Sequence, residues 1–240
     1  MNAPLSRVCH AFERPLVPAT LVKRYKRFLA DVYLEDGGPA TVHCPNSGSM
    51  LASMEEGAPV FLSPADNPNR KTRFTWEMIF INNGWVGINT GIPNRLTALA
   101  AETEALPIFR GATHVRREVK LGEHSRIDVR VDFSDGPLFV EVKNVTLVRD
   151  GLAEFPDSVT ARGAKHLEEL IRVVREGGKA AMVYIVQRGD AEIFAPARAI
   201  DPRYAELFFR ARRAGVVMNV IQAKVSPEKI CLEQELPVVI

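Results

Sequence analysis

The sequence predicts a chain of α+β type with α/β character: a small five-stranded β-barrel, then a mixed sheet flanked by helices. Three observations predict it. Across residues 1–90, β-type runs are punctuated by Gly, Pro, Asn and Asp turns, and no stretch carries helical spacing. The pattern changes at residues 89–93. Beyond that point, segments with apolar residues at helical spacing alternate with β-type runs.

The elements follow in order. Residues 20–34 read as one long strand ending at Asp36-Gly37-Gly38-Pro39. Residues 40–44 are the next strand, followed by the loop Pro45-Asn46-Ser47-Gly48, which is either a binding loop or a turn chosen for its geometry. Residues 58–62 form a strand closed by Ser63-Pro64-Ala65-Asp66-Asn67-Pro68. Residues 73–81 and 85–88 make a hairpin around Asn82-Asn83-Gly84. About five strands without a long helix fit a closed barrel, and the oligonucleotide-binding (OB) barrel is the economical choice. Trp76 and Trp85 read as its core.

Past the change, residues 94–106 read as a helix, and residues 113–120, 126–133 and 138–145 as strands. A helix over residues 158–176 has the stripe Leu167, Leu170, Ile171, Val174, a cap at Asp157 or Ser158, and a stop at Gly177-Gly178. Residues 179–187 are continuously apolar, as in a strand buried on both faces. Asp201 caps and Pro202 opens a last helix ending at Gly215, before a strand over 216–224. This order predicts a mixed sheet with helices on both faces, and domains of residues 1–90 and 91–240.

Composition narrows the class. The chain has 240 residues, with 31 Lys and Arg against 29 Asp and Glu, so net charge says little about partners and charge distribution must decide. Cys9, Cys44 and Cys231 are odd in number and lack zinc-finger or redox-motif spacing. Neither a disulfide framework nor a Cys-ligated zinc is expected, and Cys44 reads as a buried strand residue. The N-terminus shows no secretory pattern, and the longest apolar stretch, residues 180–186, falls far short of the ~20 residues of a membrane span. A cytoplasmic protein without membrane contact is expected.

Strand alternation then assembles a chemical group. Ile127, Val129 and Val131 are predicted on one face, with Arg126, Asp128 and Arg130 on the other. Leu138, Val140 and Val142 likewise oppose Phe139, Glu141 and Lys143. A turn or short loop at Ser134-Asp135-Gly136-Pro137 sets Ser134 opposite Pro137, so Asp128 faces Lys143 and Arg130 faces Glu141. Asp128, Glu141 and Lys143 then share one sheet face, and a one-residue slip would bury these charges. Two carboxylates can hold Mg²⁺ or Mn²⁺, which polarises a phosphate oxygen and acidifies water, while an ammonium orients the water or offsets transition-state charge. Alternation also brings Arg116, Glu118 and Lys120 to one face, making Glu118 a candidate third ligand.

Asp128 followed by Glu141-Val142-Lys143 resembles the D…ExK signature of the PD-(D/E)XK, restriction-endonuclease-like superfamily. Longer motifs resemble the sugar fermentation stimulation protein A family. They include Arg24-Tyr25-Lys26-Arg27-Phe28, His43-Cys44-Pro45-Asn46-Ser47-Gly48, Ser125-Arg126-Ile127-Asp128, Glu141-Val142-Lys143-Asn144-Val145-Thr146 and Phe155-Pro156-Asp157-Ser158-Val159-Thr160. The resemblance covers the chain from about Thr20 onward. It implies an OB-type barrel, a nuclease-type second domain, sequence-nonspecific DNA binding and a loose link to the regulation of sugar (maltose) metabolism. It also makes Asp157, Arg162 and His166 candidates to line the site, with roles unassigned. Glu102 and Glu104 are both available as a first-helix acid, and nothing selects between them.

Lys23, Arg24, Lys26 and Arg27, interleaved with Tyr25, suit contact with DNA or RNA through phosphates and stacking, or else a charged strand edge. Lys71, Arg73, Arg210, Arg212 and Arg213 tilt the reading towards nucleic acid. Three functions therefore compete. The first is a DNA-binding protein with a metal-dependent phosphodiesterase (nuclease) site. The second is a DNA-binding regulator on an inactive nuclease scaffold. The third, a carbohydrate-active enzyme using Asp128 and Glu141, is disfavoured by Lys143 and the basic clusters.

Overall fold

A computed structural model describes residues 4–67, 69–121 and 125–239 of the chain. Pro68, expected in a loop, and the side chain of Ser125 lie outside the described residues. After a short 3-10 turn at Leu5–Arg7 comes strand β1 (Cys9–Ala11). The barrel follows: β2 (Val17–Tyr25), β3 (Leu29–Leu34), β4 (Pro39–His43), β5 (Pro59–Pro64) and β6 (Phe74–Ile81), with β7 (Gly84–Gly87) added at its edge. The sheet order is β4-β3-β2-β5-β6-β7, and a β4–β6 pairing at His43 and Thr75 closes it into the expected five-stranded barrel. Leu21, Val42, Leu62, Trp76 and Ile79 fill its interior. Cys44 is buried as expected.

The predicted strand over residues 20–34 is in fact two strands. Lys26 and Arg27 take φ of 49° and 62° and, with Phe28, form the three-residue turn that joins Tyr25 to its partner Leu29. A turn that needs two left-handed residues is usually marked by Asn or Gly, and this one carries neither, so the sequence hid it. Trp76 is core, but Trp85 is only half-buried, its ring packed on Phe61 and exposed Phe80.

The second part runs α1 (Gly91–Glu102), β8 (His114–Leu121), β9 (Ser125–Phe133), β10 (Gly136–Val145), β11 (Leu147–Arg149), β12 (Leu152–Phe155), α2 (Ala161–Arg175), β13 (Lys179–Val186), β14 (Ile193–Pro196), α3 (Pro202–Ala214), β15 (Val217–Val225) and β16 (Lys229–Glu235). Its main sheet has the order β1-β16-β15-β13-β10-β9-β8, and β11, β12 and β14 make a small second sheet. Helices cover both faces, as predicted. On β13, Ala181, Val183 and Ile185 join the layer under α1, while Met182, Tyr184 and Val186 join the layer under α2 and α3. The Val, Ile and Met side chains among these each contribute about 1.5–3 kcal/mol on burial, which explains the continuous apolar run.

Two expectations need correction at the N-terminus. β1, expected within the barrel part, pairs antiparallel with β16 of the second sheet. Cys9 and Cys231, directly opposite in that ladder, form a disulfide, which spacing alone had argued against. Thr160, rather than Asp157 or Ser158, caps α2, its hydroxyl accepting from Gly163 N–H at 3.1 Å. Asp201 caps α3 as predicted, and its second oxygen accepts from Thr160 N–H at 2.9 Å, pinning the start of α2 to the start of α3. No helix among the described residues is long and apolar enough to cross a membrane.

Candidate functional site

A cleft of about 500 Å³ lies between the barrel and the C-terminal half of β10. Its floor carries Asp128, Glu141 and Lys143. Arg162 and His166 of α2 line one side, and Arg27 with Asn46, Ser47 and Gly48 of the barrel line another. The sequence had proposed most of these residues separately, and the fold brings them together.

The register on the floor differs from the one predicted. Gly136 pairs with Phe133 and Val140 with Val129, so β10 is displaced by two residues against β9 relative to expectation. Because side chains alternate with a period of two, that displacement leaves residues 129–133 and 138–143 on their predicted faces. It also sets Asp128 beside Glu141 instead of Lys143. The ladder ends at Val129–Val140, just before Asp128. There the predicted alternation also breaks: Val129 and Val131 pack under α1, whereas Ile127 packs in the α2/α3 layer. On β8, Glu118 sits at the matching point, between the Arg117–Val129 and Val119–Ile127 pairs, with φ of 52°. With the strands parted, Asp128 Oδ2 accepts from Val142 N–H at 2.8 Å and Oδ1 from Asn94 Nδ2 at 3.0 Å.

Glu141 is 2% exposed. Lys143 Nζ donates to its Oε1, and His166 Nδ1 contacts the same oxygen. Lys143 Nζ and His166 Nδ1 are 3.4 Å apart. Burial opposes ionisation of Glu141, but Lys143 and His166 outweigh it and hold the carboxyl below its ordinary range. Asp128 goes the other way. Burial, and then the charge of Glu141, push it up to about 6, against the opposing pull of Val142 N–H, Lys143 and Asn94. The two carboxyls therefore titrate apart.

Glu141 Oε2 is buried with no hydrogen-bond partner among the described residues, which is costly for a carboxylate oxygen unless a cation or donor meets it. Two carboxylates at the base of an open cleft fit a hard divalent cation that keeps part of its shell for water and substrate oxygens. Among the described residues no cluster of three His, Cys, Asp or Glu side chains converges as a metal cage. Glu118, the candidate third ligand, is exposed on the edge strand and does not line the cleft. Neither Glu102 nor Glu104 lines it either; Glu104 accepts from Gly111 N–H at 2.8 Å. The first helix contributes Asn94 instead.

The remaining candidates fall into different places. Asp157 lines the cleft, and its Oδ2 accepts from Met50 N–H of the barrel at 2.8 Å. Arg24 is committed internally: its guanidinium donates to the carbonyls of Arg27, Asn46 and Gly48. Tyr25 donates to Asp31, with Lys23 over its ring. Lys23, Lys26 and Arg27 are exposed, and of these only Arg27 lines the cleft. Lys71 and Arg73 before β6, and Arg210, Arg212 and Arg213 on α3, are exposed and lie outside it. Asn94 was missed because an Asn one turn into a helix carries no signal of a partner 34 residues away.

Two family models match the chain: the SfsA N-terminal OB domain over residues 22–88 and the sugar fermentation stimulation protein RE domain over residues 91–229. The sugar fermentation stimulation protein homolog of Pelobacter propionicus is 52% identical over 226 residues, covering 94% of this chain and 98% of the relative. That of Geobacter sulfurreducens is 49% identical, covering 94% and 97%. Among solved structures, Pyrococcus furiosus SfsA in complex with Ca²⁺ aligns with a TM-score of 0.89 at 28% identity, over 96% of this chain and 98% of that one. With both halves matched in order and relatives aligned along nearly their whole length, the chain belongs to the sugar fermentation stimulation protein (SfsA) family.

Proposed function

We infer that the protein is a cytoplasmic, sequence-nonspecific DNA-binding protein whose cleft is a metal-dependent phosphodiesterase site of PD-(D/E)XK type. One observation carries the reading: Asp128 and Glu141 converge on the cleft floor beside Lys143, and Glu141 Oε2 is buried without a partner among the described residues. Asp128 and Glu141 are the residues that would hold Mg²⁺ or Mn²⁺. The chemistry supplied by such a cation, when bound, is neutralisation of phosphate charge and acidification of a water. The chain's own residues do the rest. Asn94 and Val142 N–H fix Asp128. Lys143 keeps Glu141 ionised and places an ammonium where attack by water would build negative charge. Arg27 and Arg162, both exposed on the cleft rim, suit phosphates flanking the reacting one. The Ca²⁺ complex of the Pyrococcus furiosus relative is in keeping with a site for a hard cation. A link to sugar use would then be regulatory, through DNA.

A second reading, a binding regulator without turnover, is favoured by one feature: Lys143 Nζ is held by Glu141 Oε1 beside His166, so its ammonium is committed to a carboxylate instead of to an attacking water. One experiment separates the readings. Mn²⁺ is titrated calorimetrically into wild type, Asp128→Ala, Glu141→Ala and Lys143→Ala, and each is incubated with DNA and RNA in Mg²⁺, Mn²⁺ or chelator. The phosphodiesterase reading expects metal binding lost in the two carboxylate variants, and retained without cleavage in Lys143→Ala. Equal metal binding by wild type and Asp128→Ala would overturn it. Metal binding without cleavage by wild type would leave the regulator.

A further inference from the structure

The barrel loop over residues 46–52 is held from both sides in a conformation it would not adopt alone. Met50 and Ala52 have φ of 56° and 60°, the left-handed region that residues with a Cβ avoid. From the barrel, Arg24 donates to the carbonyls of Asn46 and Gly48 at 2.8 and 3.0 Å. From the second part, Asp157 Oδ2 accepts from Met50 N–H at 2.8 Å, and Asp157 O accepts from Ser49 Oγ at 2.6 Å. Arg188, fully buried, donates to Ala52 O at 3.1 Å and to Thr146 O at 2.8 Å, and Thr90 donates to Pro45 O at 2.8 Å. A Cβ on Gly48 would sit 2.9 Å from Asp157 Oδ2, so the closeness of this contact depends on glycine. Met50 is buried, while Ser47 is exposed at the cleft rim. Left-handed non-glycine residues persist only where their surroundings over-determine them, and such residues concentrate at functional sites.

The geometry points to residues 46–48 as the barrel's substrate-contacting wall of the cleft, and to Asp157 as the positioning residue that fixes this wall over Asp128 and Glu141. The ligand class is a phosphodiester strand, met by the Ser47 hydroxyl and by Arg27 beside it. This rests on the nucleic-acid reading given above. Asp157 does not touch metal or reacting atoms; it acts through Met50 and Ser49. The barrel is thereby one wall of the site as well as a domain tethered to it.

The test uses full-length Asp157→Ala, Asp157→Asn and Gly48→Ala beside wild type. Ca²⁺ alone is titrated calorimetrically, binding of a labelled oligonucleotide is measured in Ca²⁺, and melting is followed. Asp157→Ala and Gly48→Ala should weaken the oligonucleotide by about 5–10-fold, the scale of one typical net hydrogen bond. Ca²⁺ affinity should stay within about 2-fold of wild type in all three, since removing a contact outside the metal's reach changes no ligand. Asp157→Asn, whose side-chain oxygen still accepts from Met50 N–H, should recover most of the loss, which a purely electrostatic role for Asp157 would not allow. Combining Gly48→Ala with Asp157→Ala should add little, because both break one contact. Unchanged oligonucleotide affinity in folded Gly48→Ala and Asp157→Ala overturns the proposal, as does a parallel fall in Ca²⁺ affinity. Wild type that binds Ca²⁺ but no oligonucleotide removes the nucleic-acid reading itself, and this inference with it, and is recognised without any variant.

Discussion

Asn94 Nδ2, from the first turn of α1, donates to Asp128 Oδ1 at 3.0 Å, so the helix under one face of the sheet holds the acid that opens towards the cleft. The hold matters because the other Asp128 oxygen accepts from Val142 N–H, and the two bonds together define the carboxylate plane. Residues that orient a ligand from behind typically change metal affinity by about 10–100-fold when lost. Asn94→Ala should therefore weaken Mn²⁺ binding by about 10-fold while leaving the melting temperature close to wild type. Calorimetric titration decides it, and an unchanged affinity would remove Asn94 from the site.

The raised pKa of Asp128 predicts a pH-dependent penalty. Its folded value of about 6 lies above the ~3.9 of an unfolded Asp, so the protonated form is favoured by folding. That contribution is fully present below about pH 4 and is lost as pH rises through about 6. In chelator, Asp128→Asn should exceed wild type in stability at about pH 8 by on the order of 1–3 kcal/mol. The advantage should vanish by about pH 4, where both side chains are neutral. Denaturant melts across this range test the sign; an advantage that grows on acidification would contradict it.

Arg24 and its basic neighbours should separate into two behaviours. Lys23, Lys26 and Arg27 are exposed, whereas Arg24 donates to three backbone carbonyls. Replacing Lys23, Lys26 and Arg27 together by Ala should flatten the log–log salt dependence of DNA binding by roughly 2–3 and weaken all sequences alike. Arg24→Ala should cost about 1–3 kcal/mol of stability through the stranded carbonyls of Asn46 and Gly48, with little change in slope. A slope untouched by the triple variant would place the DNA-contacting face elsewhere.

Much of this architecture was legible because its signals are local. The caps of α3, the apolar run of β13 and the alternation of β10 are each written within a few residues of one another. The same locality explains the failures. Nothing in Tyr25-Lys26-Arg27-Phe28 announces two left-handed residues, and nothing at Glu118 announces the break that frees Asp128. β11, β12 and β14 are three or four residues long, too short for a period to register. Contacts such as Asp157 with Met50 join residues 107 apart and leave no trace in either neighbourhood. The catalytic-type face was found despite a register displaced by two, because an even displacement preserves the face.

The disulfide between Cys9 and Cys231 is the most distant of these links, with a separation of 222 residues. β1 is only three residues long, yet Val8 and the neighbouring Leu5 and Phe12 pack with Ile92 and Leu96 of α1. A short edge strand with few ladder bonds gains most from a covalent tie. In the chain-entropy model a loop of this size limits the unfolded state by about 5 kcal/mol, an upper bound where the reduced chain keeps structure. Dithiothreitol should therefore lower the melting temperature, by up to about 10–20 °C for a chain of this size. Cys9→Ser should melt at the lower temperature in either redox condition, and hydrogen exchange should rise first in residues 4–11. A melting temperature indifferent to reductant, with the bridge verified by mass spectrometry, would mean that packing of Val8 against α1 suffices to hold the strand.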